Sequence, residues 1–202
     1  MSESQSGLIR HEWEVRPAPF QEARSAVSLW HYSRSTSNTA TYCHGLYRTG
    51  DREIMGAALW MPPIKTAALS VSDQWRSVLC LTRLAVHPDA PRNAASFLLG
   101  GSMRLIDRKR WPRLLTYADT GRGHTGAIYR ATNWICLGEV RAGDVWVHST
   151  TGEQRGRKRG PRTWTVAEML AAGFVRQPQL PKIKFVHENP HRSLPVTDGR
   201  PR

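Results

Sequence analysis

A run of nine residues, VLCLTRLAV at 78–86, constrains the fold more than any other segment of the chain. It is dense in Val and Leu and lacks the polar alternation of a half-solvated strand. It therefore predicts a strand buried on both faces inside a layered α/β domain. HPDAPRNAAS at 87–96 follows as a Pro/Asn/Ala-rich turn. FLLGGSMRLIDRKR at 97–110 sets Leu98, Leu99, Met103, Leu105 and Ile106 at helical spacing, although Gly100-Gly101 weakens the helix propensity. LLTYADT at 114–120 predicts a second buried strand, and the polar loop GRGHTG leads into a short helix over 127–134. ICLGEV and DVWVHS read as two closing strands around Arg141-Ala142-Gly143.

The N-terminal side supplies the remaining layers. LIRHEWEVR at 8–16 alternates as a strand. Phe20, Ala23, Val27 and Trp30 recur at helical spacing and predict a helix that ends near His31-Tyr32-Ser33. The Ser/Thr/Asn-rich stretch 33–40 is a loop. TYCHGLYR and EIMGAALWMP then form two strands, turned at Gly50-Asp51. The whole predicts an α/β (α+β) domain over 1–150, a mixed central sheet flanked by helices, with a basic C-terminal extension over 151–202. In the extension, Thr165 and Glu168 make a capping-box pattern that starts a short helix stopped by Gly173. From Gln177 onward, five of the chain's thirteen prolines predict an extended or partly disordered tail.

Charge points to a partner. Twenty-nine Lys+Arg against 16 Asp+Glu give +13, a surplus that suits a polyanion, most often nucleic acid. Arg155, Arg157, Lys158, Arg159 and Arg162 stand in a loop as a clamp for phosphate backbone, with a steep salt dependence. A solvated loop is the plainer reading of the same residues. Lys182 and Lys184, interleaved with Ile183 and Phe185, extend the track. No run of 18 apolar residues exists, so no transmembrane helix and no membrane partner is expected. The N-terminal residues lack a basic start followed by an apolar stretch, which argues against a secretion signal. Cys43, Cys80 and Cys136 are odd in number and widely spaced, as reduced cytoplasmic thiols are.

A buried strand, a tight turn and a helix make an anion-binding arrangement, because the helix N-terminus turns unpaired N–H groups toward the turn. Plain α/β construction produces the same pattern. The order of elements resembles the GNAT acyltransferase fold, and LTRLAVHPDAPRNAAS resembles that fold's pyrophosphate segment, with Asn93 and Ala95 where glycines are usual. The resemblance implies acetyl-CoA as cofactor, held along Leu84 and Val86 and over Arg92, Asn93, Ala94, Ala95 and Ser96. HYS (31–33), RLAVHPDAPRNAAS (83–96) and YADTGRGHTGAIYRATNW (117–134) together are similar to the bacteriophage Mom DNA-modification family. That family changes the exocyclic amine of adenine to a methylcarbamoyl form and protects phage DNA from restriction. The resemblance implies His31, Tyr32, Asp119 and Tyr129 as catalytic residues, with Tyr129 protonating the CoA thiolate. It also implies iron, for which His31, Tyr32 and Asp119 are the ligand candidates. DNA is the expected partner and the host cytoplasm the expected place. A homodimer stays open.

Each residue also has a simpler reading. His31 and Tyr32 suit a helix end, Asp119 a loop cap, and Tyr129 a core aromatic. His124 suits a solvated loop, and His44 points either toward the cleft or into packing. Two other functions fit the sequence: a CoA-dependent N-acetyltransferase for a protein, small amine or hypermodified base, and a non-catalytic nucleic-acid-binding protein on the same scaffold.

Overall fold

The computed structural model describes residues 7–34 and 36–188. The strands are β1 (Trp13–Pro17), β2 (Tyr42–Arg48), β3 (Gly56–Met61), β4 (Val78–Val86), β5 (Arg113–Asp119), β6 (Ile135–Val140), β7 (Val145–His148), β8 (Gln154–Arg155), β9 (Lys158–Arg159), β10 (Arg162–Thr163), β11 (Phe174–Gln177) and β12 (Lys182–Glu188). The helices are α1 (Phe20–Trp30), α2 (Lys65–Leu69), α3 (Ala94–Leu105), α4 (Ala127–Arg130) and α5 (Val166–Ala171). They fall into two compact units. One comprises Met1–Thr116, Gly126–Cys136 and Phe185–Arg202, and the other Tyr117–Thr125 and Leu137–Lys184. The chain passes between the units within β5, between Thr125 and Gly126, within β6 and within β12.

The first unit is built on a sheet ordered β1-β2-β3-β4-β5-β12-β6. Neighbours from β1 to β4 are antiparallel, whereas β4 and β5 run parallel, so the sheet is mixed. Side chains alternate across it as strand geometry requires. Ala57, Leu59 and Ala85 pack on Ala23, Ala26 and Val27 of α1. Trp60 and His44 face the other way, toward Ser102 of α3. Together these side chains close the helix–sheet interface without solvent, as close-packed interiors require.

β4 is split in character. Val78, Leu79, Cys80 and Leu81 are all buried, but from Thr82 on most of the strand is half-exposed. The reason is pairing: β4 and β5 bond only over Val78–Cys80 and Arg113–Leu115. Against β3, the register slips at Leu59/Trp60, where Thr82 Oγ1 donates to the Leu59 carbonyl at 3.1 Å. A bulge of this kind re-aims a strand.

In the second unit β11, β7 and β8 form a small sheet in that order, and Trp146, Met169 and Phe174 make its core. The expected capping box is present. Thr165 Oγ1 accepts from the Glu168 N–H at 3.2 Å, and Thr165 N–H donates to Glu168 Oε2 at 2.8 Å.

Four sequence expectations need correction. The first strand begins at Trp13 rather than residue 8, because Arg10–Glu12 coil into a 3₁₀ turn. Helix α3 starts at Ala94 and stops at Leu105; the Ala94 N–H bonds Pro91 O at 2.9 Å, so Ala94, Ala95 and Ser96 belong to its first turn. Asp107 ends it, its Oδ1 accepting from the N–H groups of Lys109 and Arg110 at 2.9 and 3.2 Å. The basic stretch 150–162 is not one loop: it holds β8 and the first strand of the β9–β10 hairpin. The tail carries a core strand, β12, which lies between β5 and β6 with Phe185 and Val186 buried. Pro190, Pro195 and Pro201 lie outside the described residues.

Candidate active site

Tyr129 sits on the short helix α4, entered through Gly126 with φ of 78°. A Cβ at Gly126 would strike the Phe185 ring, so both the left-handed backbone and the close approach require glycine. The Tyr129 ring packs against Phe185 at 5.1 Å and Trp134 at 5.7 Å between centroids. Its hydroxyl accepts from Thr116 Oγ1 at 3.4 Å, and Thr116 Oγ1 also reaches the Leu81 carbonyl at 3.3 Å. Thr116 and Leu81 are the first residues past the last β4–β5 pair. The phenol therefore stands at the point where the two strands part.

Burial pushes the Tyr129 phenol above its ordinary pKa, and the Thr116 hydrogen bond only partly offsets this. The group is thus a neutral donor near pH 7. Giving its proton fully to a thiolate, whose conjugate acid has a pKa of about 8.5, is uphill. Donating a hydrogen bond to developing negative charge is not, and that is the role this environment favours. Cys80 is buried beside it and its thiol is pushed up to about 12 by burial, which keeps it protonated and unreactive.

Arg83 was not singled out in the sequence, since it reads as one polar residue within an apolar strand. It is half-buried, donates Nη1 to the Thr82 carbonyl at 2.6 Å, and lies within electrostatic reach of Tyr32 and Cys80. Tyr32 is thereby tied to the half-exposed part of β4. Trp30 reinforces the link, with its ring 5.0 Å from that of His87 just past the strand. The first unit thus gathers Tyr32, Arg83, Thr116 and Tyr129 around β4.

His31 follows α1, and its N–H bonds the Val27 carbonyl at 2.9 Å as a helix cap. Its Nδ1 lies 2.8 Å from Ser33 Oγ and accepts from the Ser33 N–H at 3.1 Å. An accepting Nδ1 makes the neutral ring the Nε2–H tautomer. His44 is packing: it is buried against Ser102 Oγ at 2.6 Å, and burial lowers its pKa to about 4.

Leu84 and Val86 pair with Ala58 and Gly56, leaving their half-exposed side on the parted edge. Arg92 and Asn93 are exposed at the turn, and Ser96 Oγ donates to the Asn93 carbonyl at 3.0 Å. Asn93 Oδ1 accepts from the Leu8 N–H at 2.7 Å.

Asp119 belongs to the second unit. Its Oδ1 accepts from the Gly121 N–H at 3.1 Å, the loop cap expected of an aspartate here, and its Oδ2 lies 4.0 Å from Lys182 Nζ. Lys182 and Lys184 are half-buried residues of β12. Of the basic stretch, Arg155 and Arg162 pair with Glu153 and Glu168. Arg157 and Lys158 are exposed. The Arg159 side chain lies outside the described residues.

The described residues offer no cluster that supports iron. Among the described residues no three His, Cys, Asp or Glu side chains come together. No helix among the described residues is long and apolar enough to cross a membrane.

The sequence profile of the Mom protein family matches residues 12–193. The chain belongs to the Mom protein family. Methylcarbamoylase Mom of Escherichia phage Mu is 26% identical over 151 residues, 68% of this chain and 61% of that relative. This chain therefore spans about three-fifths of the length of the curated relative it matches. Among solved structures, a Bacillus subtilis acetyltransferase in complex with CoA covers 88% of this chain and 98% of its own at 8% identity, with a TM-score of 0.53. A ribosomal-protein-alanine N-acetyltransferase from Brucella melitensis covers 87% and 99% at 12% identity, with a TM-score of 0.51. Likeness at this identity shows the fold alone: a mixed sheet flanked by helices, shared with these acetyltransferases.

Proposed function

We propose that this Mom-family chain is a DNA-modifying transferase that moves an acyl group from acyl-CoA to the exocyclic amine of adenine. The observation that carries the reading is the Tyr129 hydroxyl at the parting of β4 and β5, in a chain whose family includes a named methylcarbamoylase. Family and fold together support a transferase.

Arg92–Ser96 at the first turn of α3 would hold the pyrophosphate of CoA, and Leu84 and Val86 on β4 would line its pantetheine. The amine nitrogen attacks the thioester carbonyl, the C–N bond forms, and the C–S bond breaks. Tyr129 stabilises the departing thiolate by its hydrogen bond, and the thiol finally takes a proton from the surrounding water. Asp119 orients the amine or takes its proton. A methylcarbamoyl group holds one nitrogen more than an acetyl group, so acetyl transfer accounts for the new C–N bond and not for that nitrogen. Within a duplex the amine is paired, so the base must be flipped at a cost of about a few kcal/mol. Exposed cations such as Arg157 and Lys158 offset that cost through phosphate contacts. Modified adenine would then shield phage DNA from restriction in the host cytoplasm.

The test incubates purified chain with duplex DNA, with and without acetyl-CoA, followed by nucleoside mass spectrometry and thiol titration. A new adenine nucleoside appearing with equimolar free CoA supports the reading. Thiol release onto free amines with unmodified nucleosides turns it into the N-acetyltransferase alternative.

A further inference from the structure

Between Glu153 and Glu168 the chain carries no carboxylate, and within that stretch β9 and β10 form a two-stranded sheet of their own. Arg159 stands opposite Arg162 and Lys158 opposite Thr163, so only Gly160 and Pro161 remain for the turn. A two-residue turn twists with its strands when its first residue has positive φ, and Gly160 has φ of 59°. Proline suits the next place, since its ring fixes a negative φ and its missing N–H costs nothing at an apex. Residues 154–158 and 160–163 are all exposed, and a Cβ at Gly160 would meet nothing within 4 Å. The hairpin is a short ribbon with a bare apex in solvent.

Its base is fixed. The Trp164 N–H donates to the Arg157 carbonyl at 2.8 Å and closes the ribbon one step below the β9–β10 pairs. Arg162 pairs with Glu168, and the same carboxylate accepts from the Thr165 N–H at 2.8 Å to cap α5. The ribbon is thereby anchored to that helix, with Arg157 and Lys158 exposed beside it.

An anchored cationic ribbon suits a polyanion, and its apex decides where it goes. Asn and Gln, which read adenine edges in the major groove, are absent from 157–163. The apex offers a rigid apolar ring instead. On a duplex, an apolar wedge such as proline enters a base step from the minor groove, unstacks it and kinks the helix toward the major groove. Lys and Arg hold the flanking phosphates. A ribbon spread with side chains needs the major groove, about 12 Å wide, whereas a bare apex enters the minor groove, about 6 Å wide, as the kink opens it.

We infer that the β9–β10 ribbon is a minor-groove wedge: Pro161 inserts at a base step of duplex DNA, Arg157 and Lys158 hold nearby phosphates, and the duplex bends. The inference rests on the DNA reading above and adds the groove, the residue and the distortion. Bases next to an unstacked step leave the duplex at lower cost.

The test uses the full chain and a duplex of about 30 base pairs carrying a fluorescence donor and acceptor at its ends. Saturating protein should bend the duplex by about 20–90°, read as increased energy transfer. Pro161→Ala keeps Gly160 and the turn, and should lose most of the bend at nearly unchanged affinity, since the phosphate contacts stay. Pro161→Leu returns an apolar side chain to the apex and should bend DNA again. Netropsin, which fills the minor groove, should abolish the bend. A straight duplex under wild-type protein overturns the inference, and so does a bend that survives Pro161→Ala or netropsin. A bend lost in both variants belongs to the turn and overturns it as well. In each of these cases a new adenine nucleoside in the same DNA leaves the transferase reading standing. A protein that neither bends nor modifies DNA removes both.

Discussion

The two units handle polar groups in opposite ways. In the first, the groups that matter are desolvated: the Tyr129 phenol and the Cys80 thiol are raised by burial, and His44 and Arg108 are lowered by it. In the second, charge stays in water, with Arg157 and Lys158 exposed and Arg155 and Arg162 paired across the surface. Buried groups have fixed protonation states and directed hydrogen bonds, which bond-making chemistry needs. Exposed cations give long-range attraction that tolerates many sequences. The difference separates a desolvated cluster around Tyr129 in one unit from solvated cations in the other, and substitutions can pull the two apart.

Tyr129→Phe should have the largest effect. It keeps the packing on Trp134 and Phe185 and removes only the hydroxyl, so adenine modification should fall by about 10²- to 10³-fold. DNA retention on a heparin or oligonucleotide column should stay as in the wild type. Equal loss of both would erase the division between the units.

A pH effect on stability comes next, and it belongs to the first unit. His44 titrates at about 6.5 when unfolded and about 4 in the fold. A depressed folded value contributes stability that is present above pH 6.5 and lost as pH falls through about 4. Urea denaturation at pH 7 and pH 4 should differ by roughly 3 kcal/mol from this group. His44→Gln should flatten that slope; an unchanged slope would assign the acid sensitivity elsewhere.

How far these features could be read in advance varies along the chain. The bounds of β4 were legible, because a Val/Leu-dense run without polar alternation has few other uses, and the Thr165–Glu168 capping box was legible because both partners are local. β12 was not. Lys182 and Lys184 alternate with Ile183 and Phe185, and Pro178 and Pro181 precede them, so local chemistry resembled a solvated tail. Only pairing beside β5 turns Phe185 inward, and that is a long-range fact. The site divides likewise. Tyr129 was found through its motif, whereas Arg83 looked like an interruption of a core strand. Its position on the half-exposed part of β4 arises where β5 departs, which no residue spacing announces.

A third substitution addresses the second unit. Replacing Arg157 and Lys158 by Ala should lower the slope of log affinity against log salt by about 1.8, at about 0.9 per phosphate contact. Turnover at saturating DNA should change little. Reduced turnover at saturation, with the salt slope intact, would place these residues in the chemistry and break the comparison. The smallest expected effect is that of Thr165→Ala, which removes the cap of α5 and should cost about 1 kcal/mol in denaturant unfolding. It tests whether that helix contributes measurably to the second unit.

The central claim is that this scaffold rewrites adenine in DNA. Bacteria expressing the chain, and in parallel its Tyr129→Phe form at equal soluble level, should be compared by mass spectrometry of their digested DNA. The account expects a new adenine nucleoside with the first and almost none with the second. Unmodified nucleosides in both, or equal modification in both, would contradict it.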